Sequence, residues 1–159
     1  MIAVRLPAFR RRAKRKLITH PKFYFFDAGV FQVLRPRGPL DPAEEIHGAA
    51  LETLILQELR ATISNRELDL QLSFWRSHKK EEVDFVVYGP KTFVAIEVKR
   101  SSRVREDDLS GLREFLADYP MAKAYLLYAG DQRLKFGPIL ALPIAEAMKD
   151  WTALIGQPL

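Results

Sequence analysis

The chain has 159 residues, of which 48% are hydrophobic and 28% are charged, with a net charge of +5 and no cysteine. This composition is typical of one globular domain, and the lack of cysteine excludes disulfides, cysteine-ligated zinc and a thiol nucleophile. No apolar run reaches the length of about 18 residues needed to span a membrane. No apolar segment follows the basic N-terminus as in a secretory signal, so we expect a cytoplasmic protein without membrane contact.

Positive charge is concentrated in the first 16 residues. This segment contains seven Arg or Lys residues and no acid, so the remainder of the chain is slightly acidic. Such a run can neutralise nucleic-acid phosphates, or it can be a solvated linker that faces another module. We therefore predict a basic arm or linker at residues 1–17 and one domain at residues 18–159.

The domain is predicted to begin with a strand at 22–26, a helical turn at 27–34 and a Pro/Gly-rich loop at 35–42. Asp41-Pro42 and the two glutamates after it are typical of a helix start. The helix is indicated by apolar residues at helical spacing, which are Leu51, Leu54, Ile55 and Leu59. Glu52 borders this stripe. It is either an exposed helical glutamate or a carboxylate that reaches the next strands.

A strand at 69–76 is followed by two strands, 82–87 and 93–99, that carry charges on β-pattern segments. Gly89-Pro90-Lys91 predicts a turn between them, and hence an antiparallel hairpin. A charge within a run of β-branched residues costs several kcal/mol unless something binds it. In this hairpin Asp84 and Glu97 would lie within about 5–8 Å of each other.

Two carboxylates this close repel each other unless a cation lies between them. Mg²⁺ or Mn²⁺ suits such oxygen ligands and leaves positions open for water and phosphate. Lys99, on the same strand face as Glu97, could orient or activate the attacking water or stabilise charge on the phosphate. The alternative is a same-face ion pair of Glu97 and Lys99 on a solvated sheet, with Asp84 as a strand-edge charge.

The rest of the chain predicts an amphipathic helix at 106–119, a buried strand at 122–128, a late edge strand at 137–143 and a closing helix at 144–154. A helix between the strand of Glu97 and the next strand suits a parallel crossover. Trp75, Trp151 and the aromatic residues at 23–26 could stack on bases, but their spacing favours the core.

Basic side chains precede and follow the charged hairpin and are candidates to hold a phosphate backbone. These are Arg76, Lys79, Lys80, Arg100 and Arg103. Lys79 and Lys80 stand directly before Glu81 and Glu82, so that segment can also be a charged connection of cancelling signs.

The order and spacing of these motifs resemble the PD-(D/E)xK nuclease superfamily, and more closely the C-terminal domain of prokaryotic AAA+-type ATPases. The matching segments are Lys22–Val30, Gly48-x-x-x-Glu52, Val83–Val87, Ile96–Lys99 and Asp108–Phe115. The resemblance implies a restriction-endonuclease-like α/β fold, with a mixed central sheet flanked by helices. It also implies Asp84 and Glu97 as ligands of Mg²⁺ or Mn²⁺, Lys99 as the catalytic lysine and Glu52 as the helix-borne acid that completes the site.

The expected function is therefore that of a metal-dependent nuclease-like domain that acts on DNA phosphodiester bonds. The alternative is an inactive accessory domain that docks on nucleic acid or a protein. Val83 departs from the motif, which nominally has proline there. No Gly-x-x-x-x-Gly-Lys-Ser/Thr loop occurs, so we expect no ATP site in this chain and an ATPase module in cis or in trans.

Overall fold

The computed structural model describes residues 3–12, 17, 20–26, 29 and 43–155, with side chains from residue 48 onward in the last range. Apart from Gly29, the predicted helical turn at 27–34 and the loop at 35–42 lie outside the described residues. The strands are β1 (Ala3–Leu6), β2 (Lys22–Phe25), β3 (Gln71–Arg76), β4 (Glu82–Gly89), β5 (Thr92–Lys99), β6 (Lys123–Tyr128), β7 (Leu134–Phe136) and β8 (Ile139–Pro143). The helices are α1 (Ala43–Asn65), a 3-10 turn (Glu106–Leu109), α2 (Ser110–Asp118), α3 (Ile144–Ala147) and α4 (Trp151–Ile155).

Six of the strands form one mixed sheet in the order β3-β4-β5-β6-β8-β7. The predicted hairpin is confirmed: β4 and β5 are antiparallel, and Gly89 pairs with Thr92 across the turn. The crossover through α2 brings β6 beside β5 in parallel, as expected. The structure thus confirms an α/β fold with a mixed central sheet flanked by helices.

Two apolar cores cover the two faces of the sheet. One contains the buried side of α1, with Ile55, Leu56 and Leu59, together with α3 and α4. The other lies under α2, with Leu112 and Phe115. In α1 the buried stripe is shifted from the predicted one, because Leu54 is exposed. No helix in the described ranges has both the length and the apolar character needed to cross a membrane.

Part of the segment assigned to the basic arm packs on the domain. β1 pairs antiparallel with β2 in a small separate sheet. The chain then runs along the edge strand β3, where Phe9 N–H donates to the Phe74 carbonyl oxygen at 2.7 Å. Val4, Leu6 and Phe9 are buried, so these three apolar residues belong to the cores of the domain.

The C-terminal part of the sheet differs from the prediction. The strand at 139–143 is internal, because the short strand β7 pairs with its free side and becomes the edge. The closing helix is divided into α3 and α4. A three-residue strand carries too little pattern of its own to be recognised, and it forms because the chain folds back at Gly137, whose φ is +59°.

Gly111 fixes the approach of α2 to the sheet. A Cβ atom at this position would collide with the carbonyl oxygen of Glu82, the first residue of β4. Only glycine permits this contact. The helix therefore lies directly on the end of β4 that carries the charged residues.

Candidate active site

A β-bulge places Asp84 at the centre of the site. Ser73 pairs with Val86 and Trp75 with Val83, so β4 has one residue more than β3 in this interval. Val83 packs in the core under α2 and Phe85 in the core under α1. Val83 and Phe85 thus face opposite sides of the sheet, whereas residues two apart on a regular strand share one face. Bulges re-aim side chains in this way.

The carboxylates of Asp84 and Glu97 bind the backbone where the paired register of the hairpin ends. The last pair is Phe85 with Ile96. Beyond it, Val98 N–H donates to Asp84 Oδ2 at 2.9 Å, and Asp84 N–H donates to Glu97 Oε2 at 3.3 Å. A backbone N–H group of each strand thus binds the carboxylate of the other strand. Both acids are buried, with 5% of Asp84 and 7% of Glu97 exposed.

Lys99 stands beside Glu97, as predicted from the shared strand face. Its Nζ lies 2.8 Å from Glu97 Oε1, and the side chain is partly exposed. Burial lowers the pKa of Lys99, but the charges of Glu97 and Asp84 outweigh it and raise the pKa overall. Lys99 is therefore an ammonium ion that reaches both the acids and the solvent.

Glu52 joins the site from α1. Its Oε2 accepts a hydrogen bond from the hydroxyl of Tyr24 at 3.3 Å. Burial, and then the charge of Asp84, raise the pKa of Glu52 to about 7, although Lys22 opposes this. Burial, and then the charges of Glu52 and Asp84, raise the pKa of Tyr24, so its hydroxyl remains a donor. Glu52 is thus half-buried, is hydrogen-bonded to β2 and lies within the influence of the charge of Asp84.

Lys22 supplies a cation to the acids from β2. Its Nζ lies 3.7 Å from Asp84 Oδ1 and forms an ion pair with Glu82. Glu82 in turn pairs with Arg76 at the end of β3. The ammonium group also lies over the rings of Tyr24 and Phe74, at 5.9 and 5.5 Å from their centroids.

The described site holds four carboxylates and three cations. They are Glu52, Glu82, Asp84 and Glu97, with Lys22, Arg76 and Lys99. Burial, and then the charge of Asp84, raise the pKa of Glu97 to about 8 despite the ammonium of Lys99. Ionisation of Glu97 is therefore costly in this site, and a cation bound to the acids would favour the ionised form.

The donor set can be tested against a divalent metal ion. Asp84 and Glu97 offer oxygen ligands, and Mg²⁺ is usually held by one or two carboxylates with water completing the shell. Within the described ranges, no group of three or more His, Cys, Asp or Glu side chains is spaced to hold a metal. The pair therefore fits a site of two protein ligands, but Glu52 does not join them as a third.

The five basic candidates lie at the end of the sheet that carries the acids, where β3 ends, β4 begins and β5 ends. Lys79, Lys80, Arg100 and Arg103 are exposed. Arg76 is bound to Glu82, so its guanidinium is engaged within the site.

Sequence reasoning missed Lys22 and Tyr24 as site residues. They are two positions apart on β2 and therefore share one face of the strand. The sequence signal for this shared face was the alternation of Lys22 and Tyr24 with Phe23 and Phe25. Phe23 and Phe26, expected in the core, are 69% and 51% exposed, whereas Trp75 and Trp151 are buried as expected.

Comparison with known proteins places the predicted acids and lysine inside one family region. A family model described as a domain of unknown function, DUF4143, matches residues 47–147. No curated protein and no solved structure matches the chain. The matched region contains Glu52, Asp84, Glu97 and Lys99, whereas Lys22 and Tyr24 precede it. Because the match covers more than half of the sequence, the chain belongs to the family described as a domain of unknown function, DUF4143.

Proposed function

We propose that this chain is a metal-dependent nuclease-like domain that cleaves DNA phosphodiester bonds. The observation that carries the proposal is the arrangement at the end of the β4–β5 hairpin. There the carboxylates of Asp84 and Glu97 each accept a backbone hydrogen bond from the neighbouring strand, and the ammonium group of Lys99 lies beside Glu97. Burying two acids costs free energy unless they are paired or bind a cation, and acids held in this way are concentrated at functional sites. The PD-(D/E)xK resemblance, with its restriction-endonuclease-like fold, supports the same assignment.

In this proposal Asp84 and Glu97 hold Mg²⁺ or Mn²⁺. When bound, such an ion supplies a Lewis acid for the phosphoryl oxygen and lowers the pKa of water. The backbone N–H groups of Val98 and Asp84 orient the two carboxylates, so the ligands are fixed before any ion arrives. Such positioning by outer partners is general for ligands of metal ions.

Lys99 would stabilise negative charge on the phosphate. Its raised pKa keeps the ammonium protonated, so as it stands the group is a cation and donor, not a base. Glu52 would lie on a second side of the site, as a carboxylate that can take up a proton near pH 7. The hydroxyl of Tyr24 would position this carboxylate. Lys79, Lys80, Arg100 and Arg103, with Arg76 nearby, would hold the DNA backbone.

We further propose that the domain works with an AAA+-type ATPase module, in cis or in trans. This association follows from the resemblance to the C-terminal domain of such ATPases. The sequence contains no phosphate-binding loop of its own. The cysteine-free composition suits the reducing cytoplasm, where we place this activity.

Cleavage of a DNA panel tests the proposal. Linear, single-stranded, supercoiled and branched DNA would be incubated with the protein and Mg²⁺ or Mn²⁺. We expect cleavage of at least one substrate, abolished by EDTA and reduced about 10³-fold or more by Asp84→Asn. Glu146→Gln is the matched control, because it removes a carboxylate whose partner is Arg133 and not a residue of the site. Equal cleavage by wild type and Asp84→Asn would refute the assignment.

A second candidate function is that of an inactive accessory domain that docks on nucleic acid or on a protein. The observation that favours it is Lys22, whose ammonium group already lies against Asp84 and Glu82. The acids would then be a structural ion-pair cluster. This function predicts that Mn²⁺ leaves the melting temperature unchanged and that removal of the acids leaves binding intact.

A further inference from the structure

A second concave site lies at the opposite end of the β4–β5 hairpin from the acids. A cavity of about 690 Å³ is lined by Phe9, Tyr88, Phe93 and Tyr119, with Arg11 and Arg12 at its border. From Phe93 to Glu97, four residues of β5 span about 13 Å. The cavity is thus separate from the acids but lies within a few nucleotides' reach of them.

The lining is a cluster of aromatic rings. The centroid of Phe93 lies 5.4 Å from that of Phe9, 5.1 Å from that of Tyr88 and 5.5 Å from that of Tyr119. Tyr88 and Phe93 are only half-buried, whereas Phe9 and Tyr119 are buried. The buried rings support the two that border the cavity, so flat aromatic surface is available to a ligand.

Positive charge reaches this cavity from the N-terminal basic run. The guanidinium of Arg11 lies 4.7 Å from the ring centroid of Tyr88. The hydroxyl of Tyr119 donates to the Arg11 carbonyl oxygen at 2.9 Å and anchors the segment. Arg12 has a φ of 49°, a strained value for a residue with a side chain, and such strain is often found at functional positions.

Both arginines are exposed, as is Arg10 before them. Asp118 is the single acid among the nine lining residues, so the lining carries a net positive charge. Aromatic faces beside guanidinium groups are the combination that binds single-stranded nucleic acid, because bases stack on the rings while the cations contact phosphates. In duplex DNA the bases stack on one another and cannot enter the cavity.

We propose that this cavity binds single-stranded DNA, with one base stacked on the ring of Tyr88, beside Phe93, and the adjoining phosphates bound by Arg11 and Arg12. The proposal does not rest on the nuclease assignment, since the cavity shares no lining residue with the acids. If both sites function, the cavity holds a strand near the acids without taking part in the chemistry.

Fluorescence anisotropy with the full chain tests the proposal. The probes are fluorescein-labelled oligo(dT) of about 12 nucleotides and a duplex of the same length, in EDTA so that no cleavage occurs. Tyr88→Leu keeps an apolar side chain but removes the flat face, and Tyr88→Phe is its matched control. We expect wild type to prefer the single strand, Tyr88→Leu to bind it about 5- to 100-fold more weakly, and Tyr88→Phe to match wild type.

The double variant Arg11→Ala/Arg12→Gly tests the phosphate contacts. Loss of two contacts is expected to reduce the slope of log affinity against log salt by about 1.4. Lys149→Ala removes an exposed charge outside the lining and should leave the slope unchanged. Wild type that does not bind the single strand, or that binds it as weakly as Tyr88→Leu and with the same slope as the arginine variant, would overturn the proposal.

Asp84→Asn separates this proposal from the nuclease assignment. The variant should retain full affinity for oligo(dT) while losing cleavage, since Asp84 lies outside the cavity. Retained affinity of Tyr88→Leu beside lost cleavage by Asp84→Asn would overturn the cavity proposal and leave the nuclease standing. Cleavage by Asp84→Asn together with weakened binding by Tyr88→Leu would overturn the nuclease assignment and leave the cavity proposal standing.

Discussion

Glu97→Gln is expected to abolish metal-dependent cleavage and, at the same time, to stabilise the metal-free protein at about pH 8. The loss of cleavage, about 10³-fold or more, follows from the loss of one of the two charged ligands. The gain in stability follows from burial, which raises the pKa of Glu97 from its ordinary 4.5 to about 8. An amide in the same place has no charge to bury.

The sign of this effect depends on pH. Between 4.5 and about 8 the folded protein holds a proton on Glu97 that the unfolded chain has released. The folded protein is therefore most stable, as far as Glu97 is concerned, below pH 4.5. Its free energy of unfolding decreases as the pH rises from 4.5 to about 8. At about 1.4 kcal/mol per pKa unit, the loss amounts to a few kcal/mol at pH 8.

Thermal unfolding in EDTA from about pH 5 to pH 8.5 measures this contribution. The melting temperature of wild type should fall over the range, while that of Glu97→Gln should fall less and exceed it at pH 8. Part of the fall should remain in the variant, because the pKa of Glu52 is also raised. Glu146→Gln should follow wild type. A wild type that gains stability between pH 5 and 8 would contradict this account of the site.

Lys22→Met is expected to destabilise the metal-free protein by about 2–3 kcal/mol. The substitution retains the aliphatic stem but leaves the largely buried Glu82 and Asp84 without their ammonium partner. Breaking a buried ion pair costs about 3–5 kcal/mol, and Arg76, which still neutralises Glu82, reduces the cost. At about 2–4 °C per kcal/mol, the melting temperature should fall by roughly 4–12 °C.

Mn²⁺ should restore part of this loss, because a divalent cation replaces the missing positive charge. We therefore expect the rise in melting temperature with Mn²⁺ to be larger for Lys22→Met than for wild type. Lys135→Met, on the exposed edge strand β7, is the matched control and should behave as wild type. The idea fails if Lys22→Met is as stable as wild type, or if Mn²⁺ shifts both proteins equally.

The pairing of Asp84 with Glu97 could be predicted because its causes are local. Alternating apolar residues on both sides of Gly89-Pro90 specify a hairpin, and the short turn fixes which residues face each other. The last observed pair, Phe85 with Ile96, is followed directly by Asp84 on one strand and Glu97 on the other. The spacing of the apolar residues likewise predicted that Glu52 lies on a helix, beside its buried stripe.

The bulge at Asp84 could not be predicted, because its cause is the pairing of β4 with β3. Two residues of β4 face Phe74, and no feature of the sequence around Asp84 marks the extra residue. The consequence is large, since the bulge decides which acid oxygens meet the backbone of β5. Long-range pairing overrides the local period of two here.

The contribution of β2 was missed for a similar reason. The sequence predicts a strand at 22–26, but the partner strand β1 lies in the segment that its charge led us to predict as a basic arm or linker. The apolar residues Val4 and Leu6 flank Arg5, Phe9 directly precedes Arg10, and all three are buried. The many basic residues of the N-terminal segment hid the apolar residues of β1. The pairing of β1 with β2 helps to position Lys22 and Tyr24 beside the acids.

Binding of Mn²⁺, followed by electron paramagnetic resonance, tests most directly whether the acids form a metal site, because it precedes any cleavage and needs no substrate. We expect about one bound Mn²⁺ per chain in wild type and Glu146→Gln, and none in Asp84→Asn or Glu97→Gln. Loss in both variants would tie the ion to the two carboxylates that the hairpin brings together. Absence of bound Mn²⁺ in wild type at millimolar concentration, or binding unchanged in both variants, would contradict the account.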